Sequence, residues 1–236
     1  MRGGWVAAGV SAVLCCLSQS ASGAEPTAPA TFILFSGVDS WRNGSYLYGG
    51  TYWAPTGIDR DGFIAKVFFD VGRYKYDSDP TDIIGQEFAL QILPGWRFGS
   101  GSTELKIFAG LDTQYHRLDP DDPGASLRGS QTGLRASFEF WTELTKRTMV
   151  TAYGSHSTVG QSTDLYAATG LMLNLGFYVG PEVQYNASSD YWQYRGGAHI
   201  TGVKMGAFEW GIGTGFARDS DGHKGLYGRF EISSKR

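Results

Sequence analysis

Charge is scarce in this 236-residue chain: acidic and basic residues together make up 18% of it, against roughly 25% in an ordinary soluble domain. The formal net charge of −3 and the lack of any basic run leave no electrostatic footprint for nucleic acid. Cysteine is confined to Cys15 and Cys16, so the chain beyond residue 24 has no disulfide, no thiolate nucleophile and no sulfur ligand for a metal. Long apolar runs are missing too. The longest, residues 5–17, falls short of the roughly 20 residues a spanning helix needs, which excludes a helical membrane protein. With Arg2 before it and Ser22-Gly23-Ala24 after it, that run reads as a secretory signal over residues 1–24. There is no phosphate loop, zinc signature or dinucleotide fingerprint. No cofactor and no metal are expected.

Aromatics, at 14%, and 34 glycines are what the chain has in plenty, arranged with period two. In residues 103–117, Leu105, Ile107, Ala109 and Leu111 alternate with Glu104, Lys106, Phe108, Gly110 and Asp112. Successive side chains of a strand point to opposite faces, so such a segment has one greasy and one polar side. The same alternation recurs at 63–74, 134–143, 177–186 and 208–216. Twelve strands follow: 31–40, 45–54, 62–76, 85–98, 103–117, 128–142, 147–157, 163–175, 177–187, 192–205, 207–218 and 223–234. After a tether over residues 25–30, residues 31–236 are thus expected to form a single all-β domain, an antiparallel outer-membrane β-barrel and a monomer in lipid. Connections mostly alternate between short turns (99–102, 142–147, 174–176, 206) and longer polar stretches such as 77–85 and 118–127, the pattern of such barrels, although 54–61 is long for its side and 41–44 short for its own. Tyr46, Trp53, Tyr74, Tyr76, Trp96, Tyr115, Trp192 and Trp210 fall near strand ends, where interfacial girdles lie.

Strand parity assigns the interior. Lys66, Asp70, Glu87, Arg97, Glu104, Lys106, Asp112, Arg135, Glu139, Glu182, Arg195 and Arg229 all point inward if the apolar set points out. Mixed charges of this kind either pair to close the lumen or line a polar groove in which Tyr and Trp stack on sugar rings. Two acidic turns, Asp59-Arg60-Asp61-Gly62 and Asp219-Ser220-Asp221-Gly222, lack the first position of a calcium loop, held by Gly57 and Ala217. They read as Asp/Gly turns. Ser155-His156-Ser157 offers hydrolase residue types, but its serines share one face and the imidazole takes the other, so base and nucleophile would not meet.

The opening stretch carries a resemblance. Asp39-x-Trp41-Arg42-Asn43-Gly44, then Gly50-x-x-Trp53-Ala54-Pro55-x-Gly57, Asp59-x-Asp61-Gly62-Phe63 and Gly72-Arg73-Tyr74-x-Tyr76 resemble the alphaproteobacterial cellulose biosynthesis protein family BcsS. That resemblance implies an outer-membrane barrel, non-catalytic, assisting bacterial cellulose synthesis or export. It supplies no catalytic residues. It makes cellulose or a secretion component the expected partner. Trp41 and Arg42 are expected in an exposed hairpin, and Trp53, Asp59 and Asp61 on the opposite rim; these five are the candidate contacts. A general porin or adhesin and a barrel lipid hydrolase remain the alternatives.

Overall fold

A computed structural model describes residues 29–78, 81–189 and 191–236; the signal at 1–24 and the first part of the tether lie outside the described residues. Twelve strands run in chain order: β1 (Phe32–Trp41), β2 (Gly44–Trp53), β3 (Gly62–Ser78), β4 (Thr81–Ser100), β5 (Thr103–Asp119), β6 (Gly129–Thr145), β7 (Thr148–Ser157), β8 (Ser162–Met172), β9 (Tyr178–Ser188), β10 (Tyr191–Met205), β11 (Phe208–Asp219) and β12 (Lys224–Lys235). Each pairs antiparallel with its sequence neighbour, and β1 pairs with β12 to close the barrel. Every strand is at least as long as the 9–11 residues a tilted membrane crossing needs. We call the end holding both chain termini the terminal end and the other the distal end.

The wall is taller on one side. β3 continues to Ser78, beyond the point where Tyr74 pairs with the first residue of β2. β6 starts at Gly129, well before Arg135 meets the last residue of β7. This corrects the expected loop pattern. The polar stretch at 77–85 is mostly strand, with Asp77 opposite Asp82 and Ser78 opposite Thr81. Cross-strand pairing outweighs the turn propensity of Asp and Pro there, and only 120–128 remains a long distal connection. That loop is fastened by Arg128, which donates to both carboxylate oxygens of Asp121 at 2.7 and 2.5 Å and holds that carboxyl below the usual range.

Sorting between the faces follows parity. Val38, Leu47, Val71, Phe88 and Ile92 are exposed on the outer wall, while the residues between them are buried. A continuous apolar exterior around a closed sheet far exceeds the few hundred Å² a soluble monomer tolerates; lipid is the solvent it fits. Trp53 and Trp96 stand outward near the terminal end, Tyr115 and Tyr194 near the distal one. Tyr46, Tyr74 and Tyr76 do not join these girdles. They are buried inward, in a cluster with Trp41, Ile83, Leu118, Tyr191 and Tyr227. Glycine makes the room: the Tyr46 ring lies over Gly72 on the neighbouring strand, where a Cβ would meet it at 2.0 Å.

That contact sets a test. Gly72→Val should cost about 1–3 kcal/mol, the usual penalty for overpacking a tight site, read as a lower denaturant midpoint of the reconstituted barrel. Gly228→Ala, at an outward position with nothing within 4 Å of the added carbon, should leave the midpoint unchanged.

Candidate functional site: a filled and charged lumen

The interior is filled. At the terminal end Ile33, Phe35, Tyr48, Tyr52, Ile64, Phe68, Leu93 and Phe108 form an apolar floor. The loop at 54–61 closes it from beneath by burying Ala54 and Ile58. Two glycines let this loop turn, Gly57 with φ 113° and Gly62 with φ 137°, values that side-chain-bearing residues rarely adopt. The backbone N–H groups of Ala54 and Ile58 donate to the carbonyls of Thr31 and Ala30. The end of the presumed tether is therefore bound to the loop. Asp59 accepts from the ammonium of Lys235.

Above the floor the charges pair. Glu139 Oε1 accepts from Tyr52 Oη at 2.7 Å and from Lys66 Nζ at 2.8 Å. The Lys66 ammonium lies 5.3–5.9 Å from the ring centroids of Tyr52, Phe68, Phe108 and Tyr153, an aromatic surround that a cation favours. Lys106 bonds Glu104 at 2.6 Å, and Arg97 links Glu104 at 2.6 Å to Asp61 at 2.9 Å. On the β5–β8 side Arg135 reaches Asp112 at 3.0 Å, Asp164 at 3.2 Å and the Ser155 hydroxyl at 2.7 Å. Arg229 pairs with Glu182 at 2.8 Å, while Tyr227 and Tyr166 donate to the same carboxylate at 2.7 and 3.1 Å. Arg195 Nη1 sits 2.8 Å from both oxygens of Asp39.

Of the expected lumen residues, Lys66, Asp70, Lys106, Asp112, Arg135, Glu139, Glu182 and Arg195 are buried inside, and Glu104 is largely so. Sequence reasoning missed Asp39, Asp164, Glu231 and His199, all buried inward. The charges do not balance everywhere. Asp70, Glu87, Asp112 and Asp164 share one sector with a single guanidinium, Arg135, and both carboxylate oxygens of the fully buried Asp70 lack a hydrogen-bond partner. The inward charged groups have almost no solvent exposure, 0% for Asp70 and Asp112 and 2% for Lys106 and Glu182. An aqueous channel would wet them. Among the described residues the lumen is packed with side chains.

The five candidate contacts do not assemble. Trp41 is buried in the distal aromatic cluster, a correction to its expected exposed place, because it shares the inward parity of Asp39. Arg42 is exposed in the β1–β2 turn, its Nη1 3.5 Å from the Lys224 carbonyl. Trp53 faces outward, packed edge-on against Phe63 at 6.2 Å. Asp59 and Asp61 lie on the terminal rim, each engaged by a cation.

The rival chemistries meet the same scrutiny. His156 points outward and bonds the Thr163 hydroxyl at 2.9 Å, whereas Ser155 and Ser157 turn inward to Asp164 and Asp112. His116 lies between Tyr74 Oη and Gln114, and His199 between Thr201 and the Thr169 carbonyl. Among the described residues no serine hydroxyl meets an imidazole. Asp219, Asp221 and His223 come within 4.8 Å of one another. Asp219 already accepts from the His223 backbone N–H at 2.7 Å and lies 3.2 Å from its Nδ1, the bonds of a turn.

A closed antiparallel barrel with an apolar exterior and a polar interior is a membrane β-barrel of the porin type. A solved structure of the KdgM porin superposes with a TM-score of 0.51 at 9% identity, covering 86% of this chain and 98% of that one. A second, of the KdgM porin in complex with disordered oligogalacturonate, gives 0.50 at 9% identity with the same coverage. At that identity the likeness is one of fold. Comparison with curated protein sequences returned no match. The family profile of "Cellulose biosynthesis protein BcsS" matches residues 33–236, and the chain belongs to that family.

Two substitutions test the lumen energetics. Arg135→Leu leaves Asp112 and Asp164 buried without their cation and should cost about 3–5 kcal/mol. Asp70→Asn removes an uncompensated carboxylate and should raise the unfolding midpoint. Denaturant titration of both variants in detergent micelles reads both effects.

Proposed function

We propose that this protein is exported by a cleaved signal, resides as a monomer in the bacterial outer membrane, and serves cellulose biosynthesis as a non-catalytic accessory barrel. The observation that carries this reading is the family match across 33–236, which spans nearly the whole barrel. The filled lumen favours a docking or organising role over a conduit. Most of its inward charged groups pair with one another and leave little surface for a sugar ring to stack on. The same packing argues against a general porin, and the separated His156 and Ser155 against a lipid hydrolase.

A periplasmic partner of the cellulose machinery would meet the terminal rim, where the 54–61 loop presents Pro55, Thr56, Arg60 and Asp61 to solvent. Deleting the gene should lower cellulose output, and the wild-type gene should restore it; unchanged output would overturn the role in cellulose. Arg60→Glu should lower output while the barrel keeps its heat-modifiable mobility on gels. In planar bilayers the purified protein should pass no steady ionic current. A stable conductance would favour the porin reading instead.

A further inference from the structure

We propose that the outer wall of β1–β5 near the distal end binds the anionic phosphate of a membrane lipid headgroup, with Arg73 as its principal cation. The register puts two rows side by side. Val38 pairs with Leu47, Leu47 with Val71, and Val71 with Phe88, an apolar row facing out. One step closer to the distal end, Ser40 pairs with Ser45, Ser45 with Arg73, Arg73 with Gln86, and Gln86 with Arg117. All five of these are exposed on the same outer face. Polar groups thus begin where the greasy band stops.

The boundary is also dented. A shallow, open depression is lined by Val38, Ser40, Ser45, Leu47, Arg73 and Gln86, among others. Two serines stand in register, and next to Ser40 on β12 is Gly228, whose missing side chain would touch nothing within 4 Å. Ser40 and Ser45 hydroxyls bond each other at 2.7 Å; whichever accepts keeps its own O–H free to donate to a ligand.

Charge completes the fit. Among the described residues neither Arg73 nor Arg117 has a salt-bridge partner, although nearby cations do: Lys75 holds Asp82 at 2.6 Å and Arg128 holds Asp121 at 2.5 Å. A guanidinium recognises phosphate through two parallel N–H donors. Here Arg73 stands above apolar surface that an acyl chain would cover, in a zone where water screens less than in bulk. An anion carried on a lipid satisfies both rows at once. A free anion satisfies only one. The competing account is that Arg73 merely extends its stem along the wall to reach water, which predicts no preference among headgroups.

This inference rests on the barrel lying in a membrane, and the experiment separates the two claims. The full barrel is placed in nanodiscs of phosphatidylcholine alone or containing phosphatidic acid, and in phosphatidylcholine discs with inorganic phosphate in the buffer. Thermal midpoints are read from tryptophan fluorescence. Phosphatidic acid should raise the wild-type midpoint, and Arg73→Gln combined with Arg117→Gln should lose most of that rise. Arg147→Gln, in the turn at the opposite end, should keep it. An equal rise in the double variant, no rise in the wild type, or full reproduction by inorganic phosphate would overturn the site. Failure to enter any nanodisc would overturn the membrane reading itself.

Discussion

Closure of the β1–β12 seam is the constraint on which the rest depends. Phe32 and Arg236 exchange backbone bonds at 2.9 and 2.8 Å, and pairing continues from Ile33 opposite Lys235 to Trp41 opposite Tyr227. In hydrocarbon an unpaired N–H or C=O costs several kcal/mol, so a sheet can cross only if it has no edge. Once the ring closes, strand parity has global meaning: one parity is lipid and the other is lumen all the way round. Composition follows. The outward set must be apolar, and the inward set may carry charge only where it can be paired, which is how a chain so poor in charge buries so much of it.

The interior of this barrel has to be read from its own side chains. Sharing a barrel with a porin says little about transport, because function belongs to the site and not to the scaffold. Here opposed charges on different strands, Lys66 with Glu139, Arg229 with Glu182 and Arg195 with Asp39, tie the wall together across its width. Apolar and aromatic clusters close both ends. The unbalanced sector around Arg135, which draws carboxylates from β3, β4, β5 and β8, is the exception. Carboxylates without partners are a cost that packing elsewhere must offset.

Much of this was legible in the chain. Alternation located all twelve strands, and parity anchored on Lys66 or Glu104 turned the right side chains inward. Failures occurred where strand-end position competed with parity, since Tyr74 and Tyr76 share the inward parity of Lys66 and Asp70. Tyr46, Tyr74 and Tyr76 sit near strand ends and read as girdle residues, because an amphipathic ring suits either an interface or a packed interior; only the glycine opposite, Gly72 for Tyr46, decides between them. Distal loop lengths were misjudged because the Asp- and Pro-rich turn signals at 77–82 are local, whereas the pairing that overrides them is set by the register of whole strands. The Asp39–Arg195 pair was out of reach of sequence, since its members lie 156 positions apart.

The residues that carry the family resemblance change meaning in this light. Asp39 anchors Arg195, Trp41 packs the distal cluster against Gly44, and Gly72 admits the Tyr46 ring. Gly57 and Gly62 shape the loop that buries Ile58, while Asp59 and Asp61 fasten it to Lys235 and Arg97. Read as ligand contacts these positions are scattered between two ends of the barrel. Read as structure they share one task, closing the β1–β3 sector at both mouths. A motif that seals a barrel leaves recognition to what remains outside, and at the terminal rim that is Arg60 and the outer side of a fastened loop. The bonds that hold this loop, from Ala54 and Ile58 to the 30–31 backbone and from Asp59 and Asp61 to Lys235 and Arg97, fix its outer side in one arrangement.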